Sequence, residues 1–301
     1  MPQVAVPDKG ATRVVGSCSG HPLATSVAKV DGAVKLLSFR MLDVSGSSWP
    51  TVSWIGCEHA LSEPAFFSEW RAMAAQRLAE QYAPVPDKSL VPEKTTGGYV
   101  LQWYLAIPSY LGGLLFHFTR RVPSLAPQQL SFQLGGGALQ GVALRPGRFW
   151  CLRGDPDAGH PDAVQVPDEA SLGAVLRREV IAHATRFLAV YAPQVRFGRR
   201  TQWAAVTDVL DKALLLAGRS SGSPQAGAAD ARLVLADGEK PLTSASRICQ
   251  VTDDLGRTHW IRRRGSCCFL YALPGVERPC ASCPRLGDAE RARILATLQP
   301  L

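Results

Sequence analysis

Residues 95–119 carry no charged side chain, and within them 99–118 is long enough to cross a bilayer. Arg120 and Arg121 follow, as a cytoplasmic flank would. A chain with such a run must either place it in lipid or build a protein core around it. Gln102, Pro108, Gly112, Gly113 and His117 are each tolerable in a membrane, but together they suit buried helices broken near Pro108. We therefore read the run as core, and His117 as a core histidine with satisfied ring nitrogens rather than a ligand. A chain of 301 residues, 46% hydrophobic and 19% charged, can bury it as a globular protein.

Around this run the patterning is mixed. Residues 1–20 hold charges, glycines and a proline but no apolar signal segment, and read as a flexible leader. Val34, Leu36, Leu37, Phe39, Met41 and Leu42, then Val52, Trp54 and Ile55 after a Gly-Ser-Pro break, predict loops with short strands. Ser62 is placed to cap a helix beginning at Glu63, with Pro64 in its first turn and Phe66, Trp70, Met73, Leu78 and Tyr82 as its core stripe. Leu130, Phe132 and Leu134 alternate, Gly135-Gly136-Gly137 turn the chain, and Leu139, Val142 and Leu144 return it as a hairpin, with 149–152 a further strand. The glycine run is not a phosphate loop, since no Lys-Ser/Thr follows. Leu172, Leu176, Val180, His183, Phe187 and Val190 mark a long helix ending before Pro193. Thr201 caps the next, with Trp203, Val206, Leu210 and Leu214 inward and Gly218 as its stop.

Residues 219–230, rich in Ser, Gly and Ala, read as a linker. Beyond them come a helical stretch at 231–236, a hairpin of 248–252 and 258–261 turning at 253–256, and a closing helix over 288–298 with Ala289, Ile294 and Leu298 on one side. The expected architecture is α+β: a leader (1–20), a helix-rich main body with short β-hairpins (21–230) and a small C-terminal module (231–301).

Of eight cysteines, Cys267, Cys268, Cys280 and Cys283 are clustered, whereas Cys18, Cys57, Cys151 and Cys249 stand singly. Disulfides need an oxidising compartment, and no secretory signal is visible. Cys280-x-x-Cys283 has zinc-knuckle spacing, but Cys267-Cys268 does not, because adjacent side chains diverge and reach one small ion poorly. A two-iron cluster is a larger target, and vicinal ligands fit it more easily. Spacing alone ranks iron–sulfur first and leaves zinc and non-metal roles open. There is no GxGxxG for a flavin or nicotinamide.

Arg263, Arg264, Ser266, Cys267, Cys268, Tyr271, Leu273, Pro274, Gly275, Cys280, Cys283 and Pro284 together resemble the C-terminal signature of siderophore-iron reductases of the FhuF type. The gap between Cys268 and Cys280 is one residue longer than is common in that family, and falls in the loop 274–279, where an insertion is absorbed. The resemblance implies a 2Fe-2S cluster held by Cys267, Cys268, Cys280 and Cys283. It also implies a cytoplasmic oxidoreductase of iron acquisition, whose main body binds a ferric siderophore. Ferric iron is a hard cation held by oxygen donors, and ferrous iron is held less well, so one electron releases the metal.

Electrons would come from a donor protein or a diffusing reductant. Arg262, Arg263 and Arg264 would favour the reduced cluster and attract an acidic donor, or else form a solvated basic edge. The net charge of +8 is compatible with peripheral contact at the inner membrane surface, and no nucleic-acid signature accompanies it. The alternative is a non-catalytic siderophore- or partner-binding protein with a structural zinc on the same cysteines. A third reading is an electron carrier without a siderophore pocket.

Overall fold

In the computed structural model, which describes residues 20–42, 54–82, 87–236 and 240–297, the uncharged run becomes one helix, α4 (Glu93–Thr119). It does not break at Pro108, as expected from sequence, but runs through it. Interior proline costs roughly 3 kcal/mol. Here α4 is buried on nearly every face from Thr95 to Phe116, and burial contributes roughly 1.5–3 kcal/mol for each large apolar side chain, which outweighs that cost. No helix among the described residues is long and apolar enough to cross a membrane. His117 has the partners expected of it: Nδ1 lies 2.6 Å from Asp230 and Nε2 2.9 Å from the Ser221 hydroxyl.

The other elements wrap this helix. First come α1 (Pro22–Ala33), β1 (Ser38–Met41), β2 (Trp54–Gly56), α2 (Cys57–Ser62) and α3 (Phe66–Tyr82). The sequence pattern predicts no helix over residues 22–33, where α1 forms. Ser62 ends α2 instead of capping a helix at Glu63, and its hydroxyl donates back to the His59 carbonyl. The α3 stripe is shifted: Phe67, Trp70, Ala74 and Leu78 are buried, whereas Met73 is 43% exposed.

After α4 come β3 (Arg121–Pro123), β4 (Leu130–Gly135), β5 (Ala138–Leu144), β6 (Phe149–Leu152) and β7 (Ala163–Val166). The expected hairpin is β4–β5, turned by Gly136 and Gly137, both at positive φ, where an L side chain would be strained. One sheet runs β1-β5-β4-β2, with β1 parallel to β5, and a second runs β3-β6-β7.

Two long helices follow, α5 (Glu169–Tyr191) and α6 (Arg199–Ser220). Gly198, not Thr201, is the N-cap of α6. An aromatic core joins α3, α4, β4 and α5: Tyr104 stacks on Phe187 at 4.1 Å and Trp70 on Phe132 at 5.4 Å. The Trp70 indole N–H donates to the Gly137 carbonyl at 2.9 Å. The Ser/Gly/Ala-rich stretch is not a free linker but largely helix α7 (Pro224–Val234), and the expected boundary at 230/231 falls inside it. Its small residues let it lie against α6 with backbones in contact: a Cβ on Gly227 would sit 2.3 Å from the Leu214 carbonyl oxygen. Gly218 is therefore a packing glycine at this crossing, not a helix stop.

The hairpin of β8 (Ile248–Thr252) and β9 (Thr258–Arg262) forms as expected, as does a closing helix, α8 (Asp288–Ala296). Asp253 organises the hairpin turn. Burial would raise its carboxyl, but hydrogen bonds from His259, Arg257 and the Leu255 amide hold it well below the usual carboxylate range. In α8, Ile294, Leu295 and Arg291 are buried and Ala289 is exposed; Leu298 lies outside the described residues, as do residues 1–19 of the expected leader.

Candidate metal centre

Two loops bring the clustered cysteines together. The first leaves β9 and carries Arg264 to Phe269; the second carries Cys280 to Arg285 and turns through a Cys283 N–H to Cys280 carbonyl bond of 2.8 Å. The Arg264 amide donates to the Ser282 carbonyl at 3.1 Å and ties the loops together. The thiols meet as pairs, Cys268 with Cys280 and Cys267 with Cys283. Hydrogen bonding from Cys268 lowers the Cys280 thiol, while that same contact and burial push the Cys268 thiol up.

The first loop sits on the main body. Thr95, in the first turn of α4, donates its hydroxyl to the Phe269 carbonyl at 3.1 Å. Gly98 lies directly under Cys268, where a Cβ would come 3.3 Å from the cysteine carbonyl oxygen. Leu78, Ala79 and Val91 pack against Cys268, Leu270 and Leu273, with Tyr82 and Tyr99 alongside. On α6, the buried Asp208 accepts the Gly265 and Ser266 amides at 2.7 Å each and the Ser266 hydroxyl at 2.5 Å. One turn on, Asp211 accepts the Ser246 hydroxyl at 2.7 Å and the Arg247 amide at 2.8 Å. Phe269 has φ +57, unusual for a bulky residue, and this reversal aims its amide at Cys267 Sγ, 3.4 Å away. Stacking on Phe197, at 5.6 Å and 5°, helps hold it there.

The second loop is held by α8. Arg291 is 2% exposed, and its guanidinium donates to the carbonyls of Ala281, Cys283 and Leu286. Sequence reasoning missed Asp208, Asp211, Arg291 and Thr95, because no local spacing links them to the cysteines.

The three arginines have separate surroundings. Arg262 is half-buried and donates to the Asp208 carbonyl. Arg263 is half-exposed and pairs with Asp288 at 2.8 Å. Arg264 is 5% exposed; burial disfavours its charge, yet Cys268, Asp208 and Cys280 beside it hold the guanidinium above its ordinary value. Its buried Nε has no hydrogen-bond partner among the described residues. Cys57 and Cys151 are buried in the main-body core, Cys249 is half-buried on β8, and Cys18 lies outside the described residues.

Two observations bear on what the four thiols could hold. A single zinc, with Zn–S bonds of about 2.3 Å, needs its sulfurs ~3.8 Å from one another. Among the described residues, no three of these sulfurs lie within 4.8 Å of one another. Two pairs suit two metal ions bridged between them better than one ion. The unpartnered Arg264 Nε is also a buried donor that an anionic group between the loops would satisfy.

One other set of candidate ligands is His21, His160 and Asp162. There the Leu23 amide donates to His21 Nδ1 and the Asp162 amide to His160 Nδ1, which leaves the proton of each neutral ring on Nε2. Those nitrogens are hydrogen-bond donors, not metal ligands, and His21 Nε2 lies 3.3 Å from Asp162. The cluster is a brace between α1 and the β6–β7 loop. The groove lined by Trp54, Ile55, Gly56, His59 and Phe66 is remote from the cysteines, since the 17 residues of α3 separate Phe66 from Tyr82 by about 25 Å.

Residues 264–285 match the family model of the FhuF 2Fe-2S C-terminal domain. The matched segment holds all four clustered cysteines and Arg264. No curated protein matches the chain. The C-terminal segment is of the FhuF 2Fe-2S type, its cofactor is a 2Fe-2S cluster, and the chain is an iron–sulfur redox protein.

Proposed function

We propose that this chain, whose C-terminal segment is of the FhuF 2Fe-2S type, is a ferric-siderophore reductase that releases iron in the cytoplasm as Fe(II). Cys267, Cys268, Cys280 and Cys283 are its cluster ligands. The observation that carries the reading is the pairing of these thiols between two loops, each clamped by a buried ionic side chain from a different helix.

The cluster supplies one-electron transfer. The protein's own residues would hold it, partly shield it and leave one edge accessible for electron exchange. Asp208, Thr95 and Gly98 fix the first loop and Arg291 the second, which would limit movement of the ligands when the cluster changes charge. Cys268 and Cys283 are buried, while Cys267 and Cys280 reach partial exposure. Beside that edge Lys94 sits over the Phe269 ring at 5.9 Å and Arg285 over the Tyr271 ring at 4.7 Å. A chelate approaches there, not in the groove at the far end of α3. One electron reduces chelated Fe(III) to Fe(II), which oxygen donors hold less tightly. A donor protein or a diffusing reductant would return the electron; Lys94 and Arg285 are exposed cations, and Arg263 a half-exposed one, that would meet an acidic donor.

The test is stopped-flow absorption of the chemically reduced protein mixed with ferric siderophores, with and without a ferrous trap. The expected result is reoxidation faster than with ferric citrate, with Fe(II) drawn off by the trap through mass action. If no siderophore outpaces ferric citrate, the protein is an electron carrier without a siderophore substrate.

A further inference from the structure

Asp208 stands out because its position is unfavourable on its own terms. It lies in the interior of α6, where aspartate has poor helix propensity, and it is 4% exposed, where an uncompensated carboxylate costs several kcal/mol. Its compensation comes from the residues just before the vicinal cysteines. Oδ1 takes the Gly265 amide, and Oδ2 takes both the amide and the hydroxyl of Ser266. The Arg264 guanidinium stands 3.9 Å from the same oxygen while also lying beside Cys268 and Cys280. Asp208 thus shares a cation with the ligand sulfurs.

This arrangement has an electronic consequence. Amide hydrogen bonds to cluster sulfurs and nearby positive charge raise the reduction potential of an iron–sulfur centre, and negative charge lowers it. The amides of Gly265 and Ser266 are committed to a carboxylate, whereas that of Phe269 points at Cys267. We propose that Asp208 is a positioning residue of the metal centre: it fixes the loop leading into Cys267 and holds the cluster potential low. It does so through its charge, by diverting two amides from the sulfurs and by drawing on Arg264. The effect suits a centre that must give its electron to tightly chelated iron. The inference rests on the ligand assignment proposed above.

The experiment compares the full-length loaded protein with its Asp208→Asn and Ser266→Ala variants, read by iron content, the EPR signal of the reduced cluster and an EPR-monitored redox titration. Asp208→Asn keeps the shape and removes the charge, so the midpoint should move to more positive potential. Ser266→Ala keeps the carboxylate but removes one of its donors, so its charge is felt more strongly and the midpoint should move to more negative potential. A merely structural aspartate would lower cluster loading in both variants without opposite shifts. A loaded Asp208→Asn variant at the wild-type potential, or shifts of the same sign in both variants, would overturn the proposal. Should Asp208→Asn fail to load, Ser266→Ala decides alone: a negative shift supports the role, and an unchanged midpoint refutes it. If all three proteins load but Cys268→Ser loads equally well, the ligand assignment has failed instead.

Discussion

Alanine at Gly227 sets two effects of opposite sign against each other. Gly227 lies inside α7, where replacing glycine by alanine gains about 1 kcal/mol of helix propensity. The added Cβ, however, would meet the Leu214 carbonyl oxygen at 2.3 Å and Gly218 Cα at 2.9 Å. Both neighbours are backbone, so no rotamer change relieves the contact, and the helices must separate. Overpacking of this kind costs roughly 1–3 kcal/mol, and with no flexible partner the upper end applies. The net expectation is a loss of about 2 kcal/mol, which for a chain this long lowers the melting temperature by roughly 4 °C. The displacement also reaches α6, which carries Asp208 and Asp211, so cluster loading should fall with it. Gly32 is the control: it lies within α1, and a Cβ there meets nothing within 4 Å, so Gly32→Ala should melt at or slightly above wild type. Differential scanning calorimetry of the three proteins decides the matter. A Gly227→Ala protein melting at or above wild type would refute the close-packing account of α7.

Serine at Cys267, Cys268, Cys280 or Cys283 should abolish or weaken cluster absorption, while serine at Cys57, Cys151 or Cys249 should leave it intact; an absorption spectrum with iron and sulfide analysis checks this. Arg291→Gln leaves carbonyls of the second loop short of donors, so iron content after purification should drop well below wild type; equal loading would show that α8 does not hold the loop. Burial pushes His183 down to about 4 from 6.5, so the unfolded chain takes up the proton first and stability is lost as pH falls from about 6.5 towards 4. Between pH 7 and pH 5, wild type should lose about 2 kcal/mol more than His183→Gln in denaturant unfolding, and parallel losses would contradict this. Burial raises Asp211 to about 6, which has the opposite sign: its stabilising contribution is lost as pH rises through 6. The stability of Asp211→Asn relative to wild type should therefore improve from pH 5 to pH 7, and a constant difference would exclude a raised carboxyl.

What could be read in the sequence depended on whether the signal was local. The hairpins β4–β5 and β8–β9 combine period-2 alternation with turn residues between the strands, and both form. The cysteine cluster is legible for the same reason, because adjacent cysteines and a Cys-x-x-Cys pair lie within a few residues. The unbroken course of α4 was not legible. Proline is a local penalty, whereas the packing that offsets it comes from other helices, above all α5 and α6, which are distant in sequence. The misreading of α7 has a similar cause: small residues signal either a flexible connection or a close helix crossing, and only the position of α6 distinguishes them. Asp208 and Arg291 look like ordinary helix-surface charges in the sequence. Their roles follow from loops that the fold brings to them, 57 residues away for the Gly265 amide and 10 for the Ala281 carbonyl.

Counting electrons separates a ferric-siderophore reductase from a simple electron carrier. Fully reduced protein is titrated anaerobically with a ferric siderophore in the presence of a ferrous trap, while cluster absorption and the trap complex are followed together. One ferrous–trap complex should form for each cluster reoxidised, with the free siderophore recovered intact. Clusters that stay reduced, or that reoxidise without a matching yield of ferrous iron, would rule out direct reduction of the chelate by the cluster.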